Sequence, residues 1–283
     1  IAVSPNFPLF GLAIVCFGAG TGLYFSPASS LVSKVFDKHG GPLAVMTSSG
    51  ALAGLIFPAL GGVIGVYLGW RIGFLTSLVI IVPALIATWW VLPATHNRNR
   101  LSNDLNFHLH VLSRPGVLYT IILAIVLSFS FQSFASFLPT FLVEYQGLNT
   151  DLAGILFGVV LGLSSLAQPI AGRLSDHTSR DFAIGLSLTL MLVGLTMFLL
   201  SSSTIELVFG AITLGLGISW PGPVQARIMD QLDVSERGSG YGLVRTTYTL
   251  IASLGSVVIG TVVDLSGWST AISLILLLFV CAL

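Results

Sequence analysis

The densest group of charged residues in this sequence is GRLSDHTSRD, residues 172–181, which lies between two long apolar runs. It holds two arginines, two aspartates and a histidine. The chemistry that these types offer is ion pairing within the segment or with a preceding loop, through Arg173, Arg180, Asp176, Asp181 and Asp37. An aspartate at a membrane surface can also accept hydrogen bonds from the N–H groups at a helix start.

The remaining polar residues give no pattern of a catalytic or metal site. The sequence has no H-E-x-x-H and no paired carboxylates within one apolar run. His108 and His110 lack a third ligand at useful spacing, which favours a solvated pair on a loop or short interfacial helix. Cys16 and Cys281 lie inside apolar runs and indicate neither a disulfide framework nor a metal site. We therefore expect no enzyme, no cofactor and no metal.

The elements that position these residues are transmembrane helices. The chain is 54% hydrophobic and 8% charged, whereas soluble domains carry about 25% charged residues. A spanning helix needs about 20 mostly apolar residues. The sequence contains nine apolar runs, most of them this long. They predict an all-α polytopic membrane protein with helices over 8–35, 42–68, 71–93, 116–142, 151–172, 182–202, 205–229, 239–264 and 269–283.

The basic residues orient these helices. When the predicted helices are threaded through a bilayer, ten of the eleven Lys and Arg residues fall on one side, and Arg71 falls on the other. An excess of Lys and Arg marks the cytoplasmic side. The predicted cytoplasmic side holds Lys34, Lys38, Arg98, Arg100, Arg114, Arg173, Arg180, Arg227, Arg237 and Arg245. The net charge of zero gives no indication of a nucleic-acid partner.

The sequence also contains an internal repeat. Gly20 and Gly22 of the first predicted helix match Gly215 and Gly217, and the Gly69–Trp70 turn matches Gly267–Trp268. Both copies run from outside to inside and back, so they predict two parallel halves related by an axis along the membrane normal. The polar connector between the copies, residues 94–115, is predicted to be a cytoplasmic hinge.

With this repeat and connector, GRLSDHTSRD resembles a cytoplasmic motif of the major facilitator superfamily, roughly G-x-L-[SA]-D-[RH]-x-[SG]-R-[RD]. The resemblance implies a helical bundle of two pseudo-symmetric halves with six helices each. It places residues 8–35 at family helix four, so the chain would cover about helices four to twelve, without the first three and with the last truncated. Residues 1–93 would be the remainder of the N-terminal half, 94–115 the inter-half loop, and 116–283 the C-terminal half.

The resemblance also implies a function, which is secondary active transport of a small organic solute by alternating access. The gating motif would be Gly172, Arg173, Asp176 and Arg180. The resemblance sets Asp176 against the predicted start of the next N-terminal-half helix, at Gly41–Pro42–Leu43, with Pro42 at its first position. There the carboxylate would latch the cytoplasmic gate while the cavity is open to the outside. The alternative is a solvated loop that only sets topology.

In the family, helices one, four, seven and ten line the central cavity. The polar and aromatic candidates at mid-depth are Tyr24, Ser26, Ser128, Gln132, Ser136, Ser219, Trp220 and Gln225. Gln132 is the strongest candidate because an amide is costly in lipid unless it faces a partner or a wet cavity; an interhelical hydrogen bond is the alternative. Arg245 lies well inside a run and is a candidate for anion or gate contact, with snorkelling to the surface as its alternative.

Two departures from the family pattern bear on the mechanism. Ile14 stands where many members carry an arginine linked to proton handling. Of the antiporter pattern G-x-x-x-G-P-x-x-G-G, the segment AGLIFPALGG (53–62) keeps the proline and the last glycine pair. Drug-type efflux antiport therefore stays an alternative, as does a non-transporting receptor on the same fold. The expected partners are a solute, the lipid bilayer and a coupling ion, for a monomer in the plasma membrane.

Overall fold

The computed structural model describes residues 6–91, 111–201, 203–234 and 236–283. Most of the predicted hinge, including Arg98, Arg100, His108 and His110, lies outside these residues. The described helices are α1 (Phe7–Val35), α2 (Gly40–Leu68), α3 (Trp70–Thr76), α4 (Leu78–Val91), α5 (Pro115–Glu144), α6 (Thr150–His177), α7 (Arg180–Leu200), α8 (Thr204–Gly217), α9 (Pro221–Asp230), α10 (Arg237–Ala252) and α11 (Gly255–Ala282).

Short polar residues begin several of these helices. The side chain of Asn149 accepts a hydrogen bond from Leu152 N at the start of α6, and Ser179 accepts one from Phe182 N at the start of α7. Ser203 and Glu206 form a reciprocal capping box at the start of α8. Such caps satisfy N–H groups that have no partner within the helix.

Eight helical stretches of the described chain are long and apolar enough to cross a membrane. The last, Arg237–Ala282, has 46 residues, which is about 69 Å of helix against an apolar core of about 30 Å. Gly267 interrupts it with a φ of 81°, at the turn predicted between 239–264 and 269–283. Gly69, at the matching turn of the repeat, also has a positive φ, of 89°.

One predicted helix boundary was wrong, and two predicted runs contain a break although each still forms one candidate span. The helix predicted to end at residue 172 continues to His177, because the single Gly172 does not stop a helix and no proline follows it. The run 71–93 is divided into α3 and α4, and the run 205–229 into α8 and α9. The second division coincides with Pro221 and Pro223, which lack the N–H group that helix continuation needs.

The chain forms two compact units. One comprises the described parts of residues 1–25 and 53–103, and the other comprises residues 26–52 with the described parts of 104–283. The second unit has close interhelical contacts at small residues: a Cβ at Gly194 would lie 2.6 Å from Leu214 N, and one at Gly217 would lie 2.6 Å from Met191 N. Because residues 26–52 belong to this second unit, the end of α1 and the start of α2 pack with the C-terminal helices.

Candidate functional site

Asp176 caps the first turn of α2. Its Oδ1 accepts a hydrogen bond from Gly40 N at 3.0 Å, and its Oδ2 accepts one from Gly41 N at 2.7 Å. Pro42 has no N–H, and Leu43 N already donates to His39 O. The two donors that the helix start offers are therefore both satisfied by one carboxylate, whose charge is also favoured by the helix dipole.

This geometry corrects two sequence-based expectations. Asp176 lies in the last turn of α6 rather than in a loop, since α6 extends to His177. Pro42 is the third residue of α2 rather than the first, because the helix begins at Gly40. Because the helix begins at Gly40, the N–H groups of Gly40 and Gly41 both face the Asp176 carboxylate.

Arg180 joins this carboxylate to a second one. Its Nη1 donates to Asp176 Oδ1 and to Ser175 Oγ, and its Nε donates to Asp230 Oδ2 at 2.8 Å. His39 Nε2 lies 2.9 Å from the other oxygen of Asp230. We call the set His39, Gly40, Gly41, Asp176, Arg180 and Asp230 the latch. It connects the start of α2 with the ends of α6 and α9 and the start of α7.

Small residues allow the helices to approach closely enough for this contact. A Cβ added at Gly172 would lie 2.4 Å from Ala44 Cβ and 2.5 Å from Gly40 O, and a Cβ added at Gly222 would also lie 2.4 Å from Ala44 Cβ. Real Cβ atoms do not come this close, so neither position tolerates a larger residue in this arrangement. Ala44 therefore sits in a notch formed by glycines of α6 and α9.

The other charged residues of the motif act elsewhere. Within the described chain Arg173 forms no ion pair, and its Cγ packs 3.3 Å from the Cβ position of Gly41. Asp181 pairs with Arg227 of α9, whose guanidinium also lies 5.2 Å from the centre of the Tyr119 ring. The expected pairing of Arg180 with an aspartate is present, whereas Asp181 ties the C-terminal helices to one another.

Further contacts in the same unit link α1 to the C-terminal helices. Ser26 Oγ donates to Gly238 O at 2.7 Å, and Arg237 Nη1 donates to Ser33 O at 2.9 Å. Gln225 Nε2 donates to Ser29 Oγ at 2.5 Å. Together with the latch, these bonds hold the second half of α1 and the first turns of α2 against α6, α9 and α10.

Three of the predicted cavity residues are therefore buried in protein. Gln225 is 3% exposed, Ser219 is 5% exposed and Trp220 is 7% exposed, and Ser219 Oγ lies 3.1 Å from Ser187 Oγ. Ser26 is half-buried in the contact with Gly238 described above. Tyr24 belongs to the first unit, where its side chain is exposed.

The predicted polar stripe of α5 lies on a more open face. Gln132 and Ser136 are exposed and Ser128 is half-buried, while Ser136 Oγ donates to Gln132 O within the helix. The face of α5 that packs inward instead carries Ser130, Ser133 and Phe134. No hydrogen bond from the Gln132 amide to another helix is seen among the described residues, and contact of Gln132 with the solute stays a prediction.

Replacing Gln132 with alanine is expected to change solute affinity by up to about tenfold and to change stability by less than about 0.5 kcal/mol, as at other exposed positions. Competition transport and thermal unfolding on one preparation measure both quantities. Ser130→Ala, on the packed face, is the matched control, because it removes a buried polar atom and leaves the open face intact. A stability loss in Gln132→Ala without any change in selectivity would contradict this assignment.

Arg245 lies on α10 between two tyrosines. Its Nη1 donates to Tyr248 Oη at 3.2 Å and approaches Tyr241 Oη at 3.4 Å. Tyr241 is fully buried and Tyr248 is 8% exposed, while Arg245 is half-buried. Arg245 is therefore held along its own helix, in the protein, rather than extended alone toward the surface.

The predicted hinge joins α5 at a further ion pair. Arg114, just before α5, makes two hydrogen bonds to Glu236, at 2.8 and 2.9 Å. These bonds raise the pKa of the Arg114 guanidinium. The paired contacts fix the beginning of α5 to the segment that precedes α10.

Sequence reasoning missed His39, Asp230, Ala44 and Gly222. Each acts through a neighbour more than 40 residues away in sequence, and spacing does not reveal such pairs. A signal was present for two of them: His39 directly precedes the glycine pair of the helix start, and Gly222 stands between two prolines.

Comparison with known proteins shows which family and which proteins this chain is similar to. A model of the Major Facilitator Superfamily matches residues 1–222, and a second match covers residues 151–283. The probable nitrate transporter NarT of Staphylococcus epidermidis is 24% identical over 254 residues, which are 88% of this chain and 64% of that protein. An MFS-type efflux pump of Mycolicibacterium smegmatis is 24% identical over 276 residues, 90% of this chain and 63% of the pump.

Two further proteins are similar to this chain, one named as a regulatory protein and one known from its structure. The transcription regulatory protein OpdE of Pseudomonas aeruginosa is 22% identical, over 95% of this chain and 68% of that protein. A bacterial homologue of the iron transporter ferroportin, solved in an outward-facing state, shares the fold with a TM-score of 0.59 and 17% identity, over 86% of this chain and 62% of that one. The chain thus spans less than two thirds of the length of the nitrate transporter, the efflux pump and the solved structure.

Proposed function

Because this chain belongs to the major facilitator superfamily, we propose that it is a secondary transporter that moves a small organic solute by alternating access. It is a multi-pass protein of the plasma membrane. The observation that carries the proposal is the carboxylate of Asp176 on the first turn of α2. This contact joins two segments that the sequence assigns to different halves of the transporter.

In this proposal the latch closes the cytoplasmic side while the solute site is open to the outside. The side chain of Asp176 is only 5% exposed and accepts hydrogen bonds from two backbone N–H groups and from Arg180. Hydrogen bonds to charged groups contribute about 1.5–3 kcal/mol each. Opening breaks the two bonds to Gly40 and Gly41, while the bond to Arg180 stays within the C-terminal helices. Losing the two bonds would favour the open state by about two to four powers of ten unless new contacts replaced them.

Opening the cytoplasmic side then requires residues 26–52 to separate from the C-terminal helices. The contacts that must break are the latch, the notch around Ala44, and the hydrogen bonds from Ser26, Gln225 and Arg237. The hydrogen bonds and ion pairs among them are polar. Water can replace these polar contacts on opening, which suits a gate that opens and closes in each cycle.

The chain is proposed to act without catalysis, as a monomer and without a nucleic-acid partner.

All eleven acidic residues lie near the ends of predicted runs or in connecting segments. A proton carrier is normally an intramembrane carboxylate or histidine. Coupling is therefore assigned to an anion gradient or to residues outside this sequence, or transport is uncoupled.

The test of transport is uptake into proteoliposomes that contain the purified protein. Vesicles with and without a proton gradient are offered a panel of labelled small solutes, and empty vesicles provide the baseline. Uptake that saturates with solute concentration supports the proposal. Solute binding without uptake under every gradient would contradict it.

A second candidate function is sensing on the same fold. The observation that favours it is the match to OpdE, which is named a transcription regulatory protein. A sensor binds its solute and changes conformation without moving the solute across the bilayer. Binding with a change in latch accessibility but without uptake would assign the chain to this class. Export from loaded vesicles, with no inward transport, would instead assign it to efflux, as the mycobacterial relative's name suggests.

A further inference from the structure

We propose that Arg245 and Tyr248 form a binding site for a small planar oxyanion, and that Tyr241 positions the guanidinium. The inference rests on the proposed transport function, to which it adds the class of solute. A planar oxyanion here means an anion whose charge is shared over coplanar oxygens, as in nitrate or a small carboxylate.

The first support is the depth of the charge. Arg245 is eight residues beyond Arg237, the first residue of α10, and so lies about 12 Å along the helix. Ionisable residues at such depth are rare and mark solute or ion pathways. A guanidinium presents several N–H donors in a planar fork that matches two oxygens of a planar anion.

The second support is the arrangement of the hydroxyl groups. Each tyrosine accepts a hydrogen bond from Arg245 Nη1 through its oxygen, so each phenol keeps its own O–H proton to donate. Tyr241 is fully buried, and its hydroxyl also makes a hydrogen bond with Ser29. Tyr248 is buried, with 8% of its surface exposed, and Arg245 is half-buried. The half-buried guanidinium and the hydroxyl groups beside it therefore offer donors around a positive charge.

The third support is the contact with α1. Ser29 also accepts a hydrogen bond from Gln225 Nε2, so a chain of polar contacts runs from Arg245 through Tyr241 and Ser29 to Gln225. It joins α10, α1 and α9 at the contacts that must break when the cytoplasmic side opens. An anion held at Arg245 thus lies next to the gate, where its binding can favour one state of the gate over the other.

The sequence adds an electrostatic reason for an anion. The acidic residues are confined to the ends of runs and the connecting segments, whereas Arg245 carries a positive charge inside one. An anion bound beside the Arg245 guanidinium offsets part of the free energy that its removal from bulk water costs. An uncharged solute gives no such charge–charge attraction.

The test is binding to the purified full chain, measured by thermal unfolding and titration calorimetry. The probes are sodium nitrate and sodium acetate, with sodium chloride holding the ionic strength constant. Acetamide, which has the shape of acetate without its charge, is the matched neutral probe. We expect a saturable rise in unfolding temperature with nitrate or acetate and none with acetamide; the anion that gives the tighter binding identifies the source as inorganic or organic.

Variants then locate the site. Arg245→Gln is expected to abolish the saturable shift. Tyr248→Phe, which removes only a hydroxyl group, is expected to weaken binding about tenfold. Tyr119→Phe is the matched control, since Tyr119 meets Arg227 with its ring face, and it is expected to bind as the unchanged protein does. If Arg245→Gln does not fold, the Tyr248→Phe and Tyr119→Phe pair decides the question.

The outcomes separate this site from the proposed function. Equal anion binding in the Tyr248→Phe and unchanged proteins, or no saturable binding of either anion, would overturn the site. Saturable uptake of a neutral solute without anion binding would also overturn it, while leaving transport in place. Anion binding through Arg245 with no uptake in proteoliposomes would keep the site and reject transport.

Discussion

Replacing Asp176 with asparagine is expected to lower the rate of solute uptake about tenfold or more. The change keeps the size of the side chain but removes the charge that pairs with Arg180 and with the start of α2. One of the two oxygens becomes an N–H₂ donor facing a backbone donor. The closed state of the predicted cytoplasmic side loses its central contact, so the gate is expected to leak.

Accessibility of a cysteine behind the gate measures this leak. Ser33 is 4% exposed, and Ser33→Cys in a chain with Cys16 and Cys281 changed to serine is expected to react slowly from the cytoplasmic side. Adding Asp176→Asn should speed that reaction. Asp181→Asn, the same change five residues away, is the control, because Asp181 pairs with Arg227 rather than with α2. Normal transport and unchanged reactivity in Asp176→Asn would leave the segment only a role in topology.

Replacing Gly172 with alanine is the second change expected to have a large effect, with a loss of uptake of about tenfold or more. The new methyl group would lie 2.4 Å from Ala44 Cβ and 2.5 Å from Gly40 O. Neither atom is at the end of a flexible side chain, so α2 must move away from α6. That movement separates Asp176 from the N–H groups of Gly40 and Gly41, which donate hydrogen bonds to its carboxylate.

Gly154 provides the matched control for this change. It lies on the same helix, and a Cβ there meets no atom within 4 Å. Both substitutions raise the intrinsic helix propensity by about 1 kcal/mol, so only the contact with α2 distinguishes them. Gly154→Ala is expected to keep normal uptake. Equal uptake in Gly172→Ala would show that the helices need not approach this closely.

The fold was predictable because its main signal is local. Runs of about 20 apolar residues mark spans, and the Gly69 and Gly267 turns were identified from their place in the repeat. The continuation of α6 to His177 was missed because polarity at a membrane surface was interpreted as a loop. Lys, Arg and Asp side chains end the apolar run, but they do not end the backbone hydrogen bonding of the helix.

The site was predictable only in part. The place of Asp176 near Gly41 followed from the family resemblance, but its partners His39 and Asp230 belong to other elements, and only the packing brings them together. The cavity candidates show the same limit. Gln225 and Trp220 have the polar or aromatic character of cavity residues, and the structure buries both in protein. Residue type gives the chemistry, and the facing direction depends on the neighbouring helices.

In the proposed cycle, residues 26–52, which hold the end of α1 and the start of α2, separate from the C-terminal helices during transport. A reversible disulfide tests it directly. A Cβ at Gly242 would lie 3.5 Å from Ser26 Cβ, within the range of about 3.5–4.5 Å that disulfides span. Ser26→Cys with Gly242→Cys, in a chain with Cys16 and Cys281 changed to serine, should therefore cross-link α1 to α10 on oxidation.

Uptake by this double variant, before and after oxidation and again after reduction, is the decisive measurement. We expect uptake to stop when the disulfide forms and to return when it is reduced. Each single-cysteine variant should be insensitive to the oxidant. Full uptake by protein that is quantitatively cross-linked would contradict the account, because the two segments would then not need to separate.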